Sequence, residues 1–342
     1  MKDRLFGKTL SELQEIVNEL SLPKFTAKQI SDWLYKKHIT SINEMSNLSK
    51  KARELLSDNY IFGVDKAIKE SISKDGTKKY LFKTQEEKYI ETAYIPDKDR
   101  ATVCVSSQVG CKMDCLFCST GKQGFQANLS VNEILNQLHS LPDFEKITNI
   151  VYMGMGEPFD NIDTVLKSLE ILTAEYGYAM SPKRITVSSI GLIPGMRKFL
   201  ENTKAHLAIS MHSPFDKERK YLMPVQSAYS IVDVISEIKS FEFNRQRRVS
   251  FEYIMFKGLN DSEKHAKEIV KIVKGLKCRI NLIRYHSVPG VPLETTSEKK
   301  LLSFQNYLKS KGILTTIRAS RGEDIDAACG LLSTKEIDLK DK

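Results

Sequence analysis

The chain has 342 residues, 41% of them hydrophobic, enough for a sizeable core in two domains or in one large α/β barrel with an appendage. A net charge of +9, from 52 Lys and Arg against 43 Asp and Glu, leaves two readings open: a polyanionic partner such as RNA or DNA, or a lysine-rich soluble surface. No apolar run is long enough to cross a bilayer, and Met1-Lys2-Asp3-Arg4 lacks the apolar stretch of a signal peptide, so a cytoplasmic protein is expected.

The first 60 residues read as short helices. Thr9-Leu10-Ser11-Glu12 is a capping box, with Leu10, Leu13, Val17 and Leu20 following at helical spacing until Pro23. Thr26-Ala27-Lys28-Gln29 reads as a second capping box before Ile30, Trp33 and Leu34, and a third helix is expected from about Asn47 to Leu56. Asp75-Gly76 marks a hairpin turn, with strands expected at Tyr80–Phe82 and Lys88–Ile95 and a boundary at Pro96 and Asp97-Lys98-Asp99-Arg100. From residue 101 strands and helices alternate. The expected strands are Ala101–Val105, Asn149–Met153, Arg184–Ser189, His206–Met211, Val249–Met255, Ile280–Tyr285 and Leu314–Ala319. The helices lie near 130–140, 161–174, 229–240, 262–275 and 297–311. This alternation predicts an α/β fold with a parallel sheet closed into a barrel or partial barrel, whose chemistry gathers at the carboxyl ends of the strands. The expected division is a helical accessory domain over 1–60, a β extension over 61–97, the partial barrel over 98–332 and a tail over 333–342.

Four of the six cysteines, Cys104, Cys111, Cys115 and Cys118, fall within fifteen residues, which points to metal or redox chemistry. Cys111, Cys115 and Cys118 can wrap one iron–sulfur cube and leave its fourth iron open to a ligand. A closed zinc site is the other reading, but it needs a fourth ligand, and the nearest downstream histidine is His139. Gly154-Met155-Gly156-Glu157 allows a ligand close to the backbone and offers it a carboxylate, or is an ordinary tight turn. His212 lies at a strand end and would otherwise be a core histidine. Cys278 reads as a structural cysteine.

Cys-x3-Cys-x-aromatic-Cys after a first strand resembles the radical S-adenosylmethionine (SAM) superfamily. The stretch from Cys104 through Phe117-Cys118-Ser119-Thr120-Gly121 resembles its RlmN/Cfr branch of RNA adenine methyltransferases. Further matches are Gly154-Met155-Gly156-Glu157-Pro158, Arg184–Ser188, Ser210-Met211-His212-Ser213 and Asp324–Gly330. The resemblance implies a radical SAM partial barrel with a [4Fe-4S] cluster on Cys111, Cys115 and Cys118. It implies SAM contacts from Gly156, Glu157, Ser188, Ser210, Met211 and His212, and from His286 where many relatives carry Asn.

By the same resemblance Cys329 accepts a methyl group from one SAM. A second SAM yields a 5′-deoxyadenosyl radical that takes hydrogen from that methyl, and the carbon radical adds to adenine. Cys104 then releases the product, leaving a transient Cys104–Cys329 disulfide, and Glu91 removes the ring proton. On alternation Glu91 shares a strand face with Tyr89, Ala93 and Ile95, although a solvated strand end is an equal reading. The resemblance further implies 23S ribosomal RNA and transfer RNA as partners, a flavodoxin- or ferredoxin-type reductant, and a monomer. Gly156-Glu157-Pro158 and Phe117–Thr120 favour the RlmN type, acting on carbon 2, over the Cfr type, acting on carbon 8. A glycyl-radical activase is the alternative that needs neither Cys104 nor Cys329. Arg245-Gln246-Arg247-Arg248, Arg318 and Arg321 are basic spots that could rim an RNA site or be plain solvated surface.

Overall fold

The computed structural model describes residues 2–37, 39–243 and 249–334, and structural statements concern those residues. The basic run at 245–248 and most of the expected tail lie outside them. The chain opens with β1 (Asp3–Arg4), α1 (Leu10–Glu19), α2 (Thr26–Lys36), α3 (Lys50–Asn59) and β2 (Tyr60–Ile61), β1 and β2 pairing in parallel. Next come β3 (Lys69–Ile72), β4 (Lys78–Lys83), β5 (Tyr89–Asp97) and β6 (Arg100–Cys104), an antiparallel meander. A loop holding β7 (Gln108–Val109), α4 (Ser119–Gln123) and β8 (Ala127–Asn128) leads to α5 (Val131–His139). Then follow β9 (Asn149–Tyr152), α6 (Ile162–Thr173), β10 (Ile185–Ser189), α7 (Ile193–Asn202) and β11 (His206–Ser210). After them come α8 (Asp216–Leu222), α9 (Ile231–Lys239), β12 (Val249–Met255), α10 (Glu263–Ile272), β13 (Cys278–Arg284), α11 (Glu298–Ser310) and β14 (Leu314–Ile317).

Local chemistry accounts for most helix starts. Thr9 and Glu12 close a reciprocal capping box at α1, as Ser130 and Glu133 do at α5. The second expected box does not form. Phe25, the residue before α2, already has helical φ and ψ of −66° and −17°, so Thr26 lies inside the helix and caps nothing. The third helix begins later than expected, where the Ser49 hydroxyl accepts from the Ala52 amide at 3.2 Å. Helix α7 lies outside the expected helices, and its Pro194-Gly195 is a pair common in turns. Pro194 sits in the first turn, where no intrahelical donor is lost. A Cβ on Gly195 would stand 2.6 Å from the Phe159 carbonyl oxygen, so the glycine serves packing.

One ten-stranded sheet runs β14-β13-β12-β11-β10-β9-β6-β5-β4-β3, and every pair from β6 to β14 is parallel. Pro96 does not end a unit. Strand β5 runs through it, and Asp97 and Arg100 pair across a two-residue hairpin, so the meander and the parallel strands share one sheet. The sheet is open, with β14 and β3 as its edges. The segment after β14 crosses the gap: Asp324 accepts from the Ser73 hydroxyl at 2.5 Å, and the Gly322 amide donates to Asp75 at 3.0 Å.

Register separates the two faces. Tyr152, Val187, Leu207 and Val249 form one row, and Ile209, Phe251 and Ile280 another; these side chains are buried in the main apolar core. The alternate rows are polar: Ser188, Ser250 and Arg279 flank Ala208, and Ser210, Glu252, Asn281 and Thr316 stand side by side. A fully packed barrel would fill its interior with branched apolar side chains. This inner face is built to hold something polar.

Candidate active site

The cysteine loop follows β6. Its backbone is fixed by Cys111 N–H to the Gly124 carbonyl at 3.2 Å and Cys118 N–H to the Cys115 carbonyl at 3.1 Å. The three thiols line a cavity of about 150 Å³ together with Gly154, Gly156, Glu157, Ser188, Ser210 and His212. Burial pushes the Cys111 thiol up to about 12 and raises Cys115 and Cys118 as well; the charge of Cys118 adds to the rise at Cys111, and those of Cys118 and Cys111 to the rise at Cys115. An all-sulfur set whose anionic forms repel one another needs a cationic occupant. Among the described residues no three His, Cys, Asp or Glu side chains are grouped to hold a single metal ion. Three thiols around a shared cavity instead fit a cluster in which each thiolate binds a different iron.

The loop after β9 presses against the loop after β6. Gly156 has φ of +95°, and a Cβ there would stand 2.5 Å from Gln108 Cβ. Glu157 is buried. Its carboxylate accepts from the Phe159 amide at 2.9 Å and the Ile190 amide at 3.0 Å, joining the loops after β9 and β10, and burial pushes it up to about 7. A nearby ammonium would favour its charged form. His212, at φ of +53°, accepts from the Ile254 amide through Nδ1 at 3.0 Å, so its proton is on Nε2. Burial, with the charge of Arg219, lowers it to about 3, making it a neutral donor in the cavity wall.

A second cavity of about 530 Å³ runs along the inner face. It is lined by Cys104, by Arg100, Arg184, Arg279, Arg318 and Arg321, and by His286. Asp97 lies within ion-pair distance of Arg100 and Arg321, and Glu252 of Arg318. Arg184 and Arg279 have no carboxylate within ion-pair distance among the described residues, so the cavity carries excess positive charge. The two cavities share Met153, Ile283, Arg318, Cys329 and Leu332. Cys329 is exposed, whereas Cys104 is buried; burial and the neighbouring Cys329 push Cys104 up to about 12, while Arg318 pulls it down. The turn carrying Cys329 is tied on both sides. Ser119 N–H donates to the Gly330 carbonyl at 2.8 Å, and Ser333 N–H donates to Glu91 at 3.0 Å. Glu91 is buried and paired with Lys79 at 2.9 Å; burial raises its carboxyl, and Lys79 opposes the rise.

The profile of the Radical SAM superfamily matches residues 105–270, and that of the ribosomal RNA large subunit methyltransferase N-terminal domain matches residues 4–61. The chain is 58% identical to the probable dual-specificity RNA methyltransferase RlmN of Phocaeicola vulgatus, covering 97% of this chain and 95% of that one. It is 40% identical to the dual-specificity RNA methyltransferase RlmN of Desulfotalea psychrophila, over 98% and 96%. The chain belongs to the RlmN family. A crystal structure of a radical SAM methyltransferase from Sphaerobacter thermophilus superposes with a TM-score of 0.90 at 36% identity, covering 96% of this chain and 99% of that one. RlmN proteins are radical SAM enzymes that use a [4Fe-4S] cluster and SAM.

Against this RlmN fold, most expected site residues converge. Cys111, Cys115, Cys118, Gly156, Glu157, Ser188, Ser210 and His212 meet at the first cavity, and Cys329 borders both. Four are not brought there. Cys104 lines only the second cavity, and Glu91, buried against Lys79, lines neither of the two. Met211 is fully buried in the apolar core and lies outside both linings, because its side chain falls on the opposite phase from Ser210 and His212. His286 faces the second cavity, with Nδ1 3.2 Å from Glu323. Sequence reasoning missed Asn260, whose amide donates to the His212 carbonyl at 2.5 Å and the Ile254 carbonyl at 2.7 Å. It also missed the buried Arg219 beneath the cysteine loop. Neither carries a sequence signal beyond a turn and a charged run.

Proposed function

We propose that this chain methylates carbon 2 of an adenosine in large-subunit ribosomal RNA and in transfer RNA, with Cys329 carrying the methyl group. The observation that carries this reading is the place of Cys329 on the boundary between the cysteine-lined cavity and the arginine-lined one. A thiol there can take a methyl on one side and present it on the other. The relatives' shared name supports RNA as the substrate, and the arginine-rich lining suits the phosphates around a base turned out of its stack. Residues 1–60, as an accessory unit, would add RNA contacts. A flavodoxin- or ferredoxin-type reductant, a monomeric state and a cytoplasmic location belong to the same reading.

Cys111, Cys115 and Cys118 would hold the cluster, which supplies the electron for reductive cleavage of SAM. Glu157 would accept from the SAM ammonium, with Ser188, Ser210 and the Nε2–H of His212 completing the polar wall. Cys329, exposed, is the thiol able to meet a methyl donor. Glu91 would take the proton from the adenine carbon, its burial strengthening it as a base. Cys104 would then attack the Cys329 sulfur. The odd electron of the radical adduct would first return to the oxidised cluster; the Cys104 thiol then gives up its proton, an S–S bond forms, the bond from sulfur to the product carbon breaks with the electron pair left on that carbon, which takes up a proton to become the methyl group, and a thiol reductant reopens the disulfide.

The test is anaerobic reconstitution and assay on unmodified RNA, with mass spectrometry locating the new methyl. Methyl on carbon 2 is expected, and methyl on carbon 8 would overturn the assignment. Cys329→Ala should abolish RNA methylation while SAM cleavage persists. Cys104→Ala should leave RNA covalently held on Cys329; free methylated RNA from that variant would remove Cys104 from the scheme.

A further inference from the structure

Arg219, on α8, is wholly buried. Its Nε donates to the Met211 carbonyl at 3.2 Å. One terminal nitrogen donates to Gln226 Oε1 at 2.5 Å and the Tyr229 carbonyl at 3.2 Å, and the other to the carbonyls of Ile190 at 2.8 Å and Ser210 at 3.1 Å. Each of these acceptors is uncharged. The hydrogen-bonding capacity of the guanidinium is therefore met, but its charge is not, and burial pushes it down to about 10. The anionic groups that oppose this fall are Cys115 first and Asp216 second. Asp216 acts at one remove, accepting from Gln226 Nε2 at 2.7 Å. Helix α8 is docked onto the cysteine loop itself. Leu116 N–H donates to the Leu222 carbonyl at 2.9 Å, and Leu222 packs in one apolar cluster with Cys115 and Phe117.

We propose that Arg219 is the buried counter-charge of the iron–sulfur cluster and holds its reduction potential up through space. Three thiolates on a [4Fe-4S] cube leave the centre net negative, and reduction adds another negative charge. A fixed cation close by in a medium of low dielectric favours the reduced form. With its donors already engaged, Arg219 has none left for a ligand, so it is a positioning residue. Its bonds to the carbonyls of Ile190, Ser210 and Met211 also hold the loops after β10 and β11 in place beside the centre whose charge it balances.

The test is a potentiometric titration of the anaerobically reconstituted full-length chain, followed by electron paramagnetic resonance. Arg219→Gln removes the charge, and Arg219→Lys keeps it. The paired change Asp216→Asn with Gln226→Glu keeps the guanidinium, the hydrogen-bonding pattern and the total charge, but moves a carboxylate into direct contact with Arg219. Arg219→Gln and the paired variant should both titrate at a more negative potential than the unaltered chain, with Arg219→Lys close to it. If Arg219→Gln fails to fold, the paired variant decides alone. A paired variant with full iron and sulfide content at the unaltered potential would overturn the proposal. So would an Arg219→Lys shifted as far as Arg219→Gln, which would assign the effect to loop geometry.

Discussion

Replacing Gly156 with Ala tests how the loop after β9 is held. Two separate costs meet at this position. The backbone has φ of +95°, which disfavours a side-chain-bearing residue by about 1–2 kcal/mol. The added Cβ would also lie 2.5 Å from Gln108 Cβ and 2.7 Å from Gln108 N, overpacking worth about 1–3 kcal/mol. Loss of freedom in the unfolded chain returns about 0.4–1 kcal/mol. Two other glycines separate these terms. Gly258 has φ of +72° with nothing within 4 Å of its Cβ, so Gly258→Ala should show the backbone cost alone. Gly154 needs no positive φ, but its Cβ would stand 2.7 Å from Ser106 Oγ and 2.8 Å from the Val105 carbonyl, so Gly154→Ala should show the packing cost. Urea unfolding of the three variants should rank Gly156→Ala worst, at about 3 kcal/mol, near the sum of the other two. Gln108 Oε1 accepts from the Glu157 amide at 2.9 Å, so displacing Gln108 should also weaken SAM binding in calorimetry, whereas Gly258→Ala should not. A Gly156→Ala protein no less stable than Gly258→Ala would refute the close contact and the argument built on it.

Glu91→Gln should leave Cys329 methylation intact while lowering RNA methylation by roughly 10²–10⁴-fold, the usual worth of a general base. The base must be ionised and its folded pKa is raised by burial, so the rate should fall with falling pH at a midpoint above the ordinary 4.5, and Lys79→Met should move that midpoint higher. The matching stability term has the opposite sense: it is present below 4.5 and lost as pH rises through the folded value, and Glu91→Gln should remove it in pH-dependent unfolding. Met211→Leu should cost less than about 1.5 kcal/mol and leave SAM affinity unchanged, whereas His212→Phe should lower it; equal effects on binding would return Met211 to the cavity wall.

Much of the architecture was legible because local and tertiary demands agree. The parallel strands carry short apolar segments, and their expected spans lie within about two residues of those observed. What was lost had competing local signals. Phe25 takes the position expected of Thr26, Pro194-Gly195 hides a helix start, and the charged Asp216–Leu222 run shows no apolar stripe because its buried members are Arg219 and only the terminal Leu222. In the site, the cysteines announce themselves by spacing; Glu91 comes from the family resemblance, with alternation leaving a solvated strand end as an equal reading. Arg219 could not be found that way, since its acceptors are mostly main-chain carbonyls reaching from Ile190 to Tyr229 and leave no residue-type pattern. The polar inner rows of Ser188, Ser250, Glu252 and Asn281 were present in the alternation, but only register shows that they stand side by side.

The contrast between Cys329 and Cys104 bears on the order of the proposed half-reactions. Cys329 lies within an irregular segment with positive φ at Gly322, Asp326 and Gly330, exposed where both cavities meet. Cys104 ends a strand, buried with Ala93 and Ala327 around it, and its thiol is pushed up to about 12. With these positions exchanged, a methyl donor would have to reach a buried, protonated sulfur, and the resolving sulfur would stand in solvent. As built, Cys104 stays unreactive until charge or geometry changes beside it, and Arg318 is the group placed to help, since its guanidinium acts on both sulfurs. In the proposed scheme, the burial that raises the Cys104 thiol would also hold back a premature disulfide with Cys329.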